Sequence, residues 1–178
     1  MIRRSARPLL RIAILSDTHG ELDARIAKQV ARCDYAVHAG DVGNAAVLAA
    51  LRPRLGDVLA VRGNNDIPAK WSCADLDVLD ALPEMQLLEL PGGMLAVVHG
   101  HRAGGARERH ARLRRRFPDA RVIVYGHSHR LICDQDGPIW VLNPGAAGKS
   151  RTFGGPSCLI LQVSERLWRV EVVRFPNA

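Results

Sequence analysis

Residues 9–20 read Leu-Leu-Arg-Ile-Ala-Ile-Leu-Ser-Asp-Thr-His-Gly, an apolar run broken once by Arg11 and ending abruptly at Asp17 and His19. The run has strand length and chemistry, and it passes directly into a polar loop. The same grammar recurs along the chain. Tyr35–His38 leads into Gly40-Asp41, Val58–Val61 into Gly63-Asn64-Asn65-Asp66, Met94–Val98 into His99-Gly100-His101, and Arg121–Tyr125 into Gly126-His127-Ser128-His129. Between these strands, Glu21–Arg32 places Leu22, Ile26 and Val30 on one helical face, and Asn44–Leu51 and Ala106–Phe117 also read as helices. Strands alternating with helices predict α/β layering with largely parallel strands.

After residue 130 the pattern changes. Leu131–Cys133, Ile139–Leu142, Cys158–Val163 and Leu167–Val173 read as strands joined by turns at Asp136-Gly137 and Ser164-Glu165, which predicts antiparallel pairing. Both halves fit one domain over residues 1–178, an α/β four-layer αββα sandwich of two mixed β-sheets flanked by helices.

The chain has 178 residues, 47% of them hydrophobic, enough to bury a core without covalent staples. Its four cysteines (Cys33, Cys73, Cys133, Cys158) form no C-x-x-C pair, which excludes a zinc knuckle or redox motif and reads as small buried residues in a reducing compartment. Arg3 and Arg4 precede a strand rather than the apolar core of a signal peptide, and no segment has the roughly 18 consecutive apolar residues of a membrane span. A cytoplasmic protein with no membrane partner is the expectation. The formal charge of +7 favours polyanionic ligands in general.

Asp17, His19, Asp41, Asn64, His99, His127 and His129 all lie just past strand ends, where α/β sheets bind ligands. Gly40, Gly63, Gly100 and Gly126 beside them permit tight loops and close backbone approach. Imidazole, carboxylate and amide ligands together suit two borderline cations such as Mn²⁺, Zn²⁺ or Fe. A pair of such ions needs a bridging ligand, and Asp41, central in the series, is the candidate. His38 points from within a strand and reads as a core histidine; His110, among Arg107, Arg109 and Arg112, reads as a solvated helix residue. Arg112–Arg116 reads as a solvated face rather than a nucleic-acid patch, and three Phe, three Trp and two Tyr offer few stacking platforms.

These motifs, in this order, resemble the calcineurin-like metallophosphoesterase superfamily, with its D-x-H, G-D, G-N-[HCN]-[DE], H-G-H and G-H-x-H pattern. The length and the Asn143-Pro144-Gly145 loop are most similar to its compact YfcE-type phosphodiesterase branch. The resemblance runs from about Arg11 to Phe175. It implies one ion on Asp17, His19, Asp41 and His129, and a second on Asp41, Asn64, His99 and His127. It further implies two divalent ions, Mn²⁺ foremost with Zn²⁺, Fe or Ni²⁺ as alternatives, and a homodimer. Asn65 stands where many relatives carry a catalytic histidine, and Ala146 where serine is frequent.

The expected function is that of a phosphodiesterase acting on a small phosphorylated substrate, with a water activated between the two ions. The expected catalytic residues are Asn64 and His101, the latter donating to a phosphate oxygen or the leaving group. A nuclease acting on nucleic acid and a non-catalytic scaffold of the same fold are the alternatives.

Overall fold

The computed structural model describes residues 9–177; Arg3 and Arg4 lie outside the described residues. One sheet has the order β10-β9-β1-β2-β3, with β1 Leu10–Leu15, β2 Tyr35–His38, β3 Val58–Ala60, β9 Ser157–Val163 and β10 Trp168–Arg174. The other runs β4-β5-β6-β8-β7, with β4 Met85–Leu90, β5 Gly93–Val98, β6 Ala120–Val124, β7 Leu131–Asp134 and β8 Trp140–Pro144. Both are mixed: β1, β2 and β3 are parallel, as are β5, β6 and β8, while β9, β10, β4 and β7 join antiparallel.

The period of two along each strand explains the layering. In β1, Ile12 and Ile14 enter the core between the sheets, where they meet Leu95, Val97, Val122, Val124 and Leu142 from the other sheet. The intervening Ala13 and Leu15 face outward onto Ile26 and Val30 of α1 (Ala24–Val30). The second sheet repeats this arrangement, turning Ala96, Ile123 and Tyr125 onto Leu113 of α4 (Ala106–Arg116) and onto Phe117. Strands buried on both faces therefore give predominantly apolar runs, and the result is the four-layer αββα sandwich. Truncating a fully buried side chain such as Ile14 or Leu142 costs about 2–5 kcal/mol.

Helix α1 begins three residues later than the sequence predicts. Asp23 caps it by accepting from Arg25 N at 2.8 Å, so Leu22 packs on the same core from outside the helix. Asn44 likewise caps α2 (Ala45–Ala50), accepting from Val47 N at 3.0 Å. The sequence assigned no element to residues 66–93. That stretch holds two 3₁₀ turns (Pro68–Lys70 and Cys73–Asp75), α3 (Leu76–Asp80) and the edge strand β4, whose half-buried residues lack the long apolar run of the inner strands.

Two further expectations need correction. Cys33 and Cys158 are buried, but Cys73 and Cys133 are exposed, on a turn and on the edge strand β7. His110 is not solvated: its Nδ1 lies 2.5 Å from Asp134 Oδ2 and its Nε2 3.0 Å from Tyr125 OH, tying α4 to β7 and to the residue that follows β6. Arg114 joins the same anchor by donating to Asp134 Oδ1 at 2.7 Å, so this part of the arginine-rich segment is structural. No helix among the described residues is long and apolar enough to cross a membrane.

Candidate metal centre

The loops after β1, β2, β3, β5 and β6 converge on one edge of the sandwich and bring all seven expected ligands together. Asp41 Oδ2 lies 3.4 Å from His99 Nε2 and 3.7 Å from His19 Nε2, so one oxygen reaches imidazoles from both halves of the site. His19 Nε2 and His129 Nε2 face each other at 3.1 Å, and His129 Nε2 lies 3.4 Å from Asp17 Oδ1. Asn64 Oδ1 sits 3.2 Å from His99 Nε2 and 2.9 Å from His127 Nδ1. Two sets of ligand atoms, Asp17 with His19 and His129 and Asp17 with Asp41 and His99, each lie within 4.8 Å of one another.

The backbone is held in a form that side chains rarely adopt. Asp17, His19, Asp41, His127 and His129 all have positive φ, between 48° and 66°. Only Arg151 joins them among the described non-glycine residues. Such conformations cost about 1–3 kcal/mol each and cluster at functional sites. Close approach is equally tight: a Cβ on Gly63 would meet Asp41 N and Oδ1 at 2.2 Å, and one on Gly126 would meet Ser16 Oγ at 1.9 Å.

Hydrogen bonds set which nitrogen each histidine presents. His99 Nδ1 donates to Ala39 O at 2.8 Å, and His129 Nδ1 lies 3.3 Å from Ser150 O, which turns each Nε2 into the centre. His38, by contrast, is fully buried behind the loops. It accepts from Gly40 N at 3.2 Å and meets Thr18 Oγ1 at 2.9 Å, and burial pushes it down to about 4. As expected from the strand, it is a packed core group.

Two residues that the sequence left without a structural role organise the site. Asp66, 1% exposed, accepts from Val42 N (3.1 Å), Gly43 N (2.9 Å), Gly63 N (2.8 Å) and Trp71 Nε1 (3.3 Å), clasping the Asp41 and Asn64 loops together. Its position at the end of the Gly63–Asp66 motif was the available signal. Asn65 donates from its backbone N to Asp41 Oδ1 at 2.8 Å and from Nδ2 to Asp41 Oδ2 at 2.7 Å, while Lys70 Nζ donates to its Oδ1. The amide thus clamps a carboxylate where a histidine would offer a proton.

His101 stands beside the centre, its ring 5.5 Å from that of His99 and 6.2 Å from that of His127. It lines a side pocket with Glu84, Arg102 and Arg116, and its buried Nδ1 has no hydrogen-bond partner among the described residues.

The electrostatics test whether cations fit. Asp17 is fully buried and its Oδ2 has no hydrogen-bond partner among the described residues; burial pushes its carboxyl up to about 7. A buried unpaired carboxylate oxygen is costly unless something else satisfies it, and a divalent ion does so. Burial also works against the Asp41 charge, yet the hydrogen bond and charge of His99, together with the Asn65 donors, hold it well below the usual carboxylate range. Although burial works against its charge, His99 is raised in turn by Asp41 and Asp17, so in metal-free protein its Nε2 carries a proton that a cation would displace. Burial lowers His19, His127 and, to about 4, His129, keeping these imidazoles neutral and available as ligands. The residues fit two cations.

A pH dependence follows. With a folded pKa raised from 3.8 to about 7, Asp17 makes metal-free protein lose stability as pH rises through that window, and binding a cation reverses the cost by claiming the charged form. Metal affinity should weaken at least about tenfold per pH unit below 7, the Asp17 proton being displaced along with that of His99. Competition against a chromophoric chelator at pH 6, 7 and 8 checks this, and a pH-independent affinity would contradict it.

Comparison with known proteins agrees. The chain is 30% identical over 141 residues to a probable metallophosphoesterase of Methanocaldococcus jannaschii, covering 76% of this chain and 67% of that one. It is 24% identical over 167 residues to a phosphodiesterase of the same organism, covering 90% and 97%. The fold superposes on Vps29 of Chaetomium thermophilum with a TM-score of 0.71 at 18% identity, over 94% of this chain and 98% of that one, a likeness of fold alone. Residues 10–166 match the calcineurin-like phosphoesterase superfamily domain, and with the strand-end ligand loops in place the chain belongs to that superfamily.

Proposed function

We propose that the protein is a dinuclear-metal-dependent phosphoesterase, and specifically a phosphodiesterase acting on a small phosphorylated substrate. One ion would be held by Asp17, His19, Asp41 and His129, the other by Asp41, Asn64, His99 and His127. The observation that carries this reading is the buried, unpartnered Asp17 Oδ2 set among imidazole nitrogens already turned inward by backbone carbonyls. Two such ions, when bound, acidify water and neutralise charge on the phosphoryl oxygens.

The chain's own residues supply the rest. Asn65 and Asp66 fix Asp41 and its loop so that no reorganisation is needed when substrate arrives. Asn65 cannot yield a proton, and both ends of its amide are engaged. His101, whose ring neighbours those of His99 and His127, is the group we assign to donate a hydrogen bond to phosphate or leaving group.

Chelation should abolish hydrolysis of bis(4-nitrophenyl) phosphate, and Mn²⁺ should restore it better than Mg²⁺, because four of the seven ligands are imidazoles that oxygen-seeking Mg²⁺ exploits poorly. Equal restoration by Mg²⁺ would count against the ligand assignment. Absence of hydrolysis by Mn²⁺-loaded protein would return the scaffold.

A further inference from the structure

The sixth non-glycine residue with positive φ is not one of the ligands. Arg151 has φ 52°, and arginine, unlike Asp or His, has no particular tolerance for that region. Its guanidinium Nη2 lies 3.2 Å from His19 Nε2, so the strained backbone delivers a charged fork to the rim of the centre. His19 Nε2 has a single lone pair. Once that is committed, the exposed guanidinium of Arg151 is available to another partner at the rim, and a phosphate oxygen is the partner it fits best.

The same loop carries a flat surface. Ser150 O meets His129 Nδ1 at 3.3 Å, and Phe153 N donates to Arg151 O at 3.1 Å, so a tight turn holds Phe153 next to Arg151. Phe153 is 51% exposed, unusual for a phenylalanine, and the guanidinium of Arg130, the residue after His129, lies 4.6 Å from its ring centroid. Arg130 stacks on the ring, and with half of the residue still exposed a planar group has surface to meet.

We propose that residues 150–153 form the substrate-selecting lip of the centre, with Arg151 gripping a non-bridging phosphate oxygen and the Arg130–Phe153 stack receiving an aromatic ester group. The preferred substrates are then phosphodiesters whose non-leaving group is aryl or nucleoside rather than alkyl. The inference rests on the phosphodiesterase reading and adds the substrate class.

The test holds the leaving group constant. Phenyl 4-nitrophenyl phosphate is compared with methyl 4-nitrophenyl phosphate on Mn²⁺-loaded full-length protein, wild type and Phe153→Ala. The wild type should favour the phenyl ester about tenfold in kcat/KM through a lower KM, and Phe153→Ala should bring the two within about threefold of each other. Arg151→Gln should slow both esters about ten- to hundredfold, with Arg151→Lys partly restoring them. Calorimetric binding of diphenyl phosphate against dimethyl phosphate gives a readout independent of turnover, with the same tenfold contrast expected to vanish in Phe153→Ala. Hydrolysis of both esters at equal efficiency by the wild type, or equal loss of both in Phe153→Ala, overturns the lip. No hydrolysis with the binding contrast intact would sink the phosphodiesterase reading and leave the aromatic subsite standing.

Discussion

Asp41→Asn should lower phosphodiester turnover by about 10³-fold or more, equivalent to several kcal/mol of transition-state stabilisation. The substitution is nearly isosteric, so the loss tests charge and hydrogen-bond polarity rather than packing. Both carboxylate oxygens of Asp41 are accepting, Oδ1 from Asn65 N and Oδ2 from Asn65 Nδ2. Whichever way the new amide turned, its NH₂ would confront a donor at a distance set for an acceptor. The oxygen that reaches both His19 and His99 would also lose its charge, so metal content measured by plasma emission should drop from two ions per chain. Near-normal turnover with two ions retained would end the dinuclear reading.

Asp66→Ala should destabilise the fold by about 3–5 kcal/mol, because three backbone N–H groups and an indole N–H lose their acceptor in the interior. The shift is read from the denaturant midpoint at unchanged slope. Metal affinity should fall with it, since Asp66 sets the spacing between the Asp41 and Asn64 loops. A loss below about 1 kcal/mol with metal content unchanged would show that water or a neighbouring carbonyl satisfies those donors, and that the clasp is incidental.

Much of the fold was legible because β1, β2, β5, β6 and β9 are buried on both faces over most of their length, which writes a predominantly apolar run into the sequence. β4 was not legible, since an edge strand with alternating half-burial reads equally well as a helix or a loop. The candidate ligands were legible by residue type and by position after strands, and the fold brings them together. The hydrogen bonds that orient them were not, because the acceptors are backbone carbonyls such as Ala39 O, which leave no mark in a sequence. His110 was misread for a related reason. Its partners Asp134 and Tyr125 lie on other elements, so nothing in the surrounding arginines announced them.

The left-handed backbone at positions 17, 19, 41, 127 and 129 also constrains how this protein can change over generations. Apart from glycine, Asp, Asn and His are the side chains that tolerate this region best, so the shape of the loops and the chemistry of the ligands demand overlapping alphabets. A lineage that gave up its metals would not be released to arbitrary residues there. Valine or isoleucine would still meet the steric penalty, and drift would run through asparagine and glycine first. The shape of the loops would thus persist even where the ligand chemistry did not.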